Sequence, residues 1–179
     1  MSAARRQIVL LRGINLGPRN RVAMPKLREA LGDAGFEDVQ TYLQSGNAVV
    51  TTRRKPATVE RDVSAAIAET LGHDVDVVAR TGRELAEVVR DDPFGDVRDD
   101  PKRHQAVFLA GEPDADAIAR LEGTDFSPER LVVRPGVLHA WCPNGVNDSP
   151  LLKALTKVRT SATARNWRTV EALADMARD

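Results

Sequence analysis

The order in which two apolar periodicities alternate over the first 80 residues restricts the fold of this chain more than any other feature. Residues 7–12, holding Ile8-Val9-Leu10-Leu11, read as a strand. Met24 to Ala34 read as a helix, because Leu27, Ala30, Leu31 and Ala34 recur at i, i+3, i+4 and i+7, with Pro25 in the first turn and Gly35 past the end. Residues 38–43 and 47–52 read as a hairpin turning at Ser45-Gly46, with Val39, Thr41 and Leu43 marking one face. A second helix carries Val59, Val63, Ala66, Ile67 and Leu71, is expected to be capped by Thr58 at about 1 kcal/mol, and closes at Gly72 before a strand over 75–79.

The resulting order, βαββαβ, is the split βαβ pattern of ferredoxin-like folds. Right-handed crossovers make its first two strands parallel and place the third between them, antiparallel to both. The loop after the first strand and the hairpin turn must then leave the same end of the sheet. Arg12, Asn15 and Asn20 are thereby expected beside Gln44, Ser45 and Asn47. Loops on a rigid frame are where binding residues usually lie.

After Thr81 the pattern partly repeats. A helix over Leu85, Val88 and Val89 leads to an acidic loop around Asp92-Pro93-Phe94-Gly95 and a strand from Gln105 to Ala110. Helix 114–121, strands 130–134 and 137–141 around Pro135-Gly136, and a helix capped by Asp148 or Ser149 give βαββα. Trp167, Val170, Leu173, Ala174 and Ala177 mark a last helix, Trp167 to Arg178. The expected architecture is α+β: two ferredoxin-like halves with antiparallel sheets, residues 1–80 and 81–179, the terminal helix returning to the first half. No residue-level repeat accompanies the repeated architecture.

Net charge is zero, but its distribution is uneven. Residues 1–28 hold Arg5, Arg6, Arg12, Arg19, Arg21, Lys26 and Arg28 and no acid; residues 149–170 hold Lys153, Lys157, Arg159, Arg165 and Arg168 and no acid. If these stretches meet, they form a positive site on an acidic body and attract an anion; if they do not, they are two solvated faces. No apolar run approaches the roughly 20 residues of a membrane helix, and the N-terminus has no signal-peptide core, so the expected location is the cytoplasm, with no membrane partner. The single cysteine, Cys142 beside Trp141, reads as a small buried hydrophobe.

Three segments, Leu10-Leu11-Arg12-Gly13-Ile14-Asn15-Leu16-Gly17, Thr41-Tyr42-Leu43-Gln44-Ser45-Gly46-Asn47 and Thr163-Ala164-Arg165-Asn166-Trp167-Arg168-Thr169, resemble the signature segments of the bacterial family known as domain of unknown function 1697. Met24, Gly35, Asp92-Pro93-Phe94 and Val107-Phe108-Leu109 extend the resemblance nearly end to end. It implies a shared surface involving Arg12, Asn15, Asn20, Ser45, Asn47, Arg165, Asn166 and Thr169, and no activity. Pro18 and Arg19 stand where members of that family commonly have glycine and lysine, which keeps a cation and stiffens the loop.

Established chemistries find no support in the residues. Gly13-Ile14-Asn15-Leu16-Gly17 is neither a dinucleotide fingerprint nor a P-loop, Ser45 does not sit in a nucleophile elbow, and His73, His104 and His139 lack ligand spacing. No metal or cofactor is called for. His139 and Cys142 fall on opposite strand faces. Three readings stay open. The first is a small anionic or phosphorylated ligand, or a nucleic acid, held by Arg12, Asn15, Asn20, Gln44, Ser45, Asn47, Arg165, Asn166 and Thr169; the first and third strands lack the stacking aromatics of an RNA-binding sheet. The second is an enzyme on a phosphorylated or carboxylated metabolite, with Tyr42 or Lys26 as the nearby titratable group. The third is a protein-interaction module. Against all three stands a structural alternative in which Asn15 and Asn47 only close their own turns, Asn166 only caps the last helix, and Arg12 and Arg165 clamp the two halves by binding Asp or backbone carbonyls.

Overall fold

The computed structural model describes residues 3–18, 20–158 and 161–178, so Arg19 and Arg159 of the basic stretches lie outside the described residues. The chain divides into two compact units, one formed by residues up to Arg90 together with those from Ala172, the other by Asp91–Glu171.

The first unit runs β1 (Arg5–Leu11), α1 (Met24–Asp33), β2 (Glu37–Tyr42), β3 (Asn47–Thr52), α2 (Pro56–Leu71), β4 (Val77–Thr81) and α3 (Gly82–Arg90). Its sheet has the order β2-β3-β1-β4, with every neighbouring pair antiparallel, so β1 and β2 run parallel across β3. Val9, Leu11, Ala48, Val50, Val77 and Ala79 on one face pack with Leu27 and Leu31 of α1 and Val59, Val63 and Ile67 of α2. The alternation that turns these residues toward the helices is the period-2 pattern of a strand.

Two local expectations are corrected. Thr58 is not the cap of α2, which starts earlier at Pro56 behind Lys55 and has no side-chain cap; a proline with preset φ opens the first turn instead. The last strand of the sheet begins at Val77, not at 75, because its ladder with β1 starts at Leu11 opposite Val77; Val75 is a buried core residue whose carbonyl accepts from Ser64 Oγ at 3.0 Å. Beyond β4 the chain turns at once into α3 through a reciprocal capping box. Thr81 Oγ1 accepts from Glu84 N at 3.1 Å, while Glu84 Oε2 accepts from Thr81 N at 2.7 Å. Because α3 packs on β1 and β4, the unit extends past Thr81 to Arg90.

The second unit contains β5 (His104–Ala110), α4 (Ala115–Glu122), β6 (Arg130–Arg134), β7 (Val137–Trp141), α5 (Pro150–Leu155) and β8 (Ser161–Asn166), followed by α6 (Trp167–Met176). Its order, β6-β7-β5-β8, is that of the first sheet with each strand replaced by its counterpart, again all antiparallel. The β8 strand is absent from the βαββα expectation and completes the second half. Its ladder with β5, from Gln105 opposite Asn166 to Ala110 opposite Ser161, satisfies the backbone of a segment whose side chains are mostly small and polar. Val107, Leu109, Leu138 and Ala140 pack with Leu121 of α4 and Leu151 and Leu155 of α5. Ser149 caps α5, its Oγ accepting from Leu152 N at 2.9 Å, and it also receives the Cys142 thiol at 3.5 Å. Among the described residues no helix is long and apolar enough to cross a membrane.

Candidate functional site

The loop after β1 and the β2–β3 turn do meet, as the topology requires. Leu11 N donates to Gly46 O at 2.8 Å. Gly46 has φ +78°, and a Cβ placed there would lie 2.8 Å from both Leu11 Cβ and Ile14 Cδ1, so the approach demands glycine twice over. Asn15 then ties the loops together. With φ +56°, it donates from Nδ2 to Gln44 O at 2.6 Å and to Val22 O at 2.9 Å, accepts from Val22 N at 2.9 Å, and its own N–H reaches Asn20 O at 3.1 Å. Asn47 is fully buried and closes the hairpin, its Nδ2 donating to Tyr42 O at 3.1 Å and Ser45 Oγ at 3.0 Å.

These bonds sort the residues of the surface. The amides of Asn15 and Asn47 form its frame. Arg12, Leu16, Asn20, Arg21, Gln44 and Ser45 are exposed. Arg12 N–H donates to Asp76 O at 3.0 Å, and its Nη1 stands 3.2 Å from Asp76 Oδ2 with both side chains about half exposed. His73 joins the same end of the sheet through a contact of 3.2 Å between its Nε2 and Arg21 O. Leu16 and Leu43 are 84% and 58% exposed, and Leu43 holds φ +57°. A non-glycine residue in the left-handed region costs roughly 1–2 kcal/mol. The sequence pattern predicts Leu43 on one face of the hairpin with Val39 and Thr41, but β2 ends at Tyr42 and Leu43 lies exposed in the turn with a positive φ. The sequence reading passes over Asp76, though the topology that places β4 beside β1 points to it through its position one residue before the strand.

Arg165, Asn166 and Thr169 belong to the second unit. Arg165 is buried on β8, where Nη1 donates to Thr163 Oγ1 at 2.6 Å and to Ala164 O at 2.8 Å, and burial brings its pKa down to about 10. Asn166 Oδ1 accepts from Thr169 N at 3.0 Å, the bond of a helix N-cap at the start of α6.

A cluster that residue spacing did not reveal lies in that unit as well. In the ladder His104 stands opposite Trp141 and Ala106 opposite His139, so the two histidines are diagonal neighbours on the sheet face turned away from α4 and α5. His104 Nε2 and His139 Nδ1 are 3.0 Å apart, and both rings are buried. Asp92 Oδ1 stands 3.6 Å from His104 Nδ1 and accepts from Phe94 N at 3.0 Å, while Arg98 Nη1 pairs with Asp92 Oδ2. The Trp167 ring stacks on His104 at 4.2 Å and 10°, and Phe94 meets it edge-on at 5.0 Å. Burial lowers the pKa of His104 to about 3, with neighbouring His139 adding to the effect, and that of His139 to about 4. Both rings are therefore neutral at pH 7. Their sequence separation hid them: the pair forms only once β5 and β7 align.

The sequence profile of a family described as protein of unknown function, DUF1697, matches residues 4–139. The chain belongs to this family. The DUF1697 match spans the strand-end loops, Asp92 and both histidines, and stops short of Arg165, Asn166 and Thr169. Among solved structures, the conserved bacterial protein SP0830 from Streptococcus pneumoniae is similar over 98% of this chain and 100% of its own, with a TM-score of 0.81 and 24% identity; it supports the two-halves fold. No curated protein matches.

Chemically, the strand-end surface of this DUF1697 member offers a guanidinium, an exposed amide and hydroxyl, and two apolar side chains on a hydrogen-bonded frame. The histidine cluster instead holds neutral imidazoles against aromatic rings, away from water. Burial likewise raises the pKa of the Cys142 thiol, the opposite of what activates a nucleophile.

Proposed function

We propose that the chain is a binding protein that takes a small anionic ligand, phosphorylated or carboxylated, at the strand-end loops of its first unit. The observation that carries this reading is the bond from Asn15 to Gln44, which fixes two exposed loops into one surface carrying Arg12, Arg21, Gln44 and Ser45. The guanidinium of Arg12 matches a carboxylate or phosphate edge, and Asp76 holds it in place until an anion competes. Support also comes from the start of α1, where Ala23 provides no side-chain cap and the first turn has no acid; backbone donors there favour negative charge. Thermal unfolding against inorganic phosphate, polyphosphate, nucleotides, sugar phosphates and short RNA tests the reading. A midpoint raised by one class and restored to the ligand-free value in Arg12→Ala supports it; a panel that moves no midpoint, or moves wild type and variant alike, overturns it.

A second reading, turnover of that ligand, is favoured by Asp76 and His73, titratable groups at the same end of the sheet. Loss of product formation in Asp76→Asn with ligand binding kept would favour it over binding alone.

A further inference from the structure

The buried cluster of the second unit has the construction of a switch rather than of a plain core. A nitrogen-to-nitrogen bond between two imidazoles needs one proton and one lone pair, so the contact of His104 with His139 at 3.0 Å exists only while at least one ring is neutral. Among the described residues Nδ1 of His104 has no hydrogen-bond partner, and it is sealed from solvent; Asp92 Oδ1, at 3.6 Å, is too distant to accept. An added proton there gains no water and no hydrogen-bonded carboxylate, only the longer-range attraction of Asp92.

The surrounding charges act in both directions: Asp92 favours a charged ring on either histidine, while Arg98 opposes it on His104 and Arg134 on His139, and burial outweighs both. Asp92 is already paired with Arg98 from its own loop, and Arg98 also lies 5.4 Å from the Trp167 ring centre and 3.8 Å from Glu171 Oε1 on α6. Arg134, at the end of β6, opposes charge on His139, and Arg130, at the start of β6, sits over Phe94 at 5.3 Å. Arg165 on β8 shares Ala106 as ladder neighbour with His139. Asp92 and Glu171 are thus set against Arg98, Arg130, Arg134 and Arg165.

We propose that the His104–His139 pair is an acid-sensitive lock on the second unit, which holds Trp167 against the sheet while both rings are neutral and lets go when they take up protons. The sign follows from linkage. In the unfolded chain a histidine titrates near 6.5, whereas the folded pair resists charging down to about 3 and about 4. The unfolded state therefore binds more protons in the window between. Stability is fully present above about pH 6.5 and is lost as pH falls toward 4, where two protons make the folded-to-unfolded ratio drop by up to about 100-fold per pH unit.

The test is urea unfolding of the full chain from pH 7 to pH 5 by tryptophan fluorescence, in a His73→Gln background that removes the third histidine. A slope approaching two protons, abolished in His104→Phe/His139→Leu, is expected. A flat profile in wild type, or the same slope in the double variant, overturns the proposal. Should the double variant not fold, the histidine ring proton shifts of the folded wild type decide the matter. Two rings that stay neutral to pH 5 support the lock, and two that titrate near 6.5 overturn it.

Discussion

The two units share one strand order but bury different chemistry, because among the described residues only the second places titratable side chains deep on a sheet face. On the face turned away from α1 and α2 the first sheet carries Ile8, Leu10, Val49 and Val78, all aliphatic and buried. The corresponding face of the second sheet sets His104, His139, Thr163 and Arg165 among Ala106, Phe108, Val137 and Trp141, equally buried. A topology needs only that strand faces be filled and ladders closed, and both fillings satisfy it. What distinguishes them is response to conditions. Aliphatic contacts are indifferent to pH, whereas buried imidazoles and guanidinium depend on partners of matching protonation.

The comparison is broken most forcefully at Trp167, which stacks on His104 and sends Nε1–H to Glu171 Oε1 at 3.1 Å. Trp167→Ala should cost about 4 kcal/mol in denaturant unfolding. A cost under ~1 kcal/mol would mean that the polar face is not held by this ring. In the first unit Gly46→Ala should cost about 3 kcal/mol, since the methyl meets Leu11 and Ile14 in a left-handed conformation; the same measurement checks it, with no change in the pH dependence of stability. Asn15→Ala removes three side-chain bonds and should lose about 2 kcal/mol together with any ligand-induced rise in melting midpoint. Arg12→Ala, at an exposed ion pair, should move stability by less than about 1 kcal/mol while removing the ligand effect, so that binding and folding separate at this residue.

Much of this fold was legible because the first sheet is built around short continuous apolar runs in β1, β3 and β4, buried on both faces and bounded by turn and helix signals. Strands β6 and β7 were equally plain, bounded by turn residues at Pro135-Gly136 and lying at 130–134 and 137–141 as read. Strand β8 was not legible: Ser161-Ala162-Thr163-Ala164-Arg165-Asn166 has one β-branched residue, and it is a strand because β5 offers it a ladder. The Thr81–Glu84 box was present in the sequence as a spaced pair, and it explains why β4 passes into α3 without a loop. At the candidate surface the meeting of the two loops followed from topology alone. The division of labour between Asn15 and Asn47 as frame and Arg12 as exposed cation did not, because a side-chain amide reads identically whether it faces a ligand or a carbonyl. The histidine pair required knowing that β5 and β7 are aligned with Ala106 opposite His139, information that sits in no local window.

The frame around Asn15 has a consequence for how such a surface changes over generations. Its closing bonds run through the backbone of Gln44, Val22 and Asn20, so the side chains of Gln44 and Asn20 are not parts of the lattice that shapes the loops. Leu16 and Leu43 likewise point to solvent. Gln44 and Leu16 can exchange their side chains while the scaffold beneath keeps its form, whereas the positive φ of Asn20 and Leu43 narrows their replacements, so selection can try new ligands at the first two without rebuilding the loops that present them.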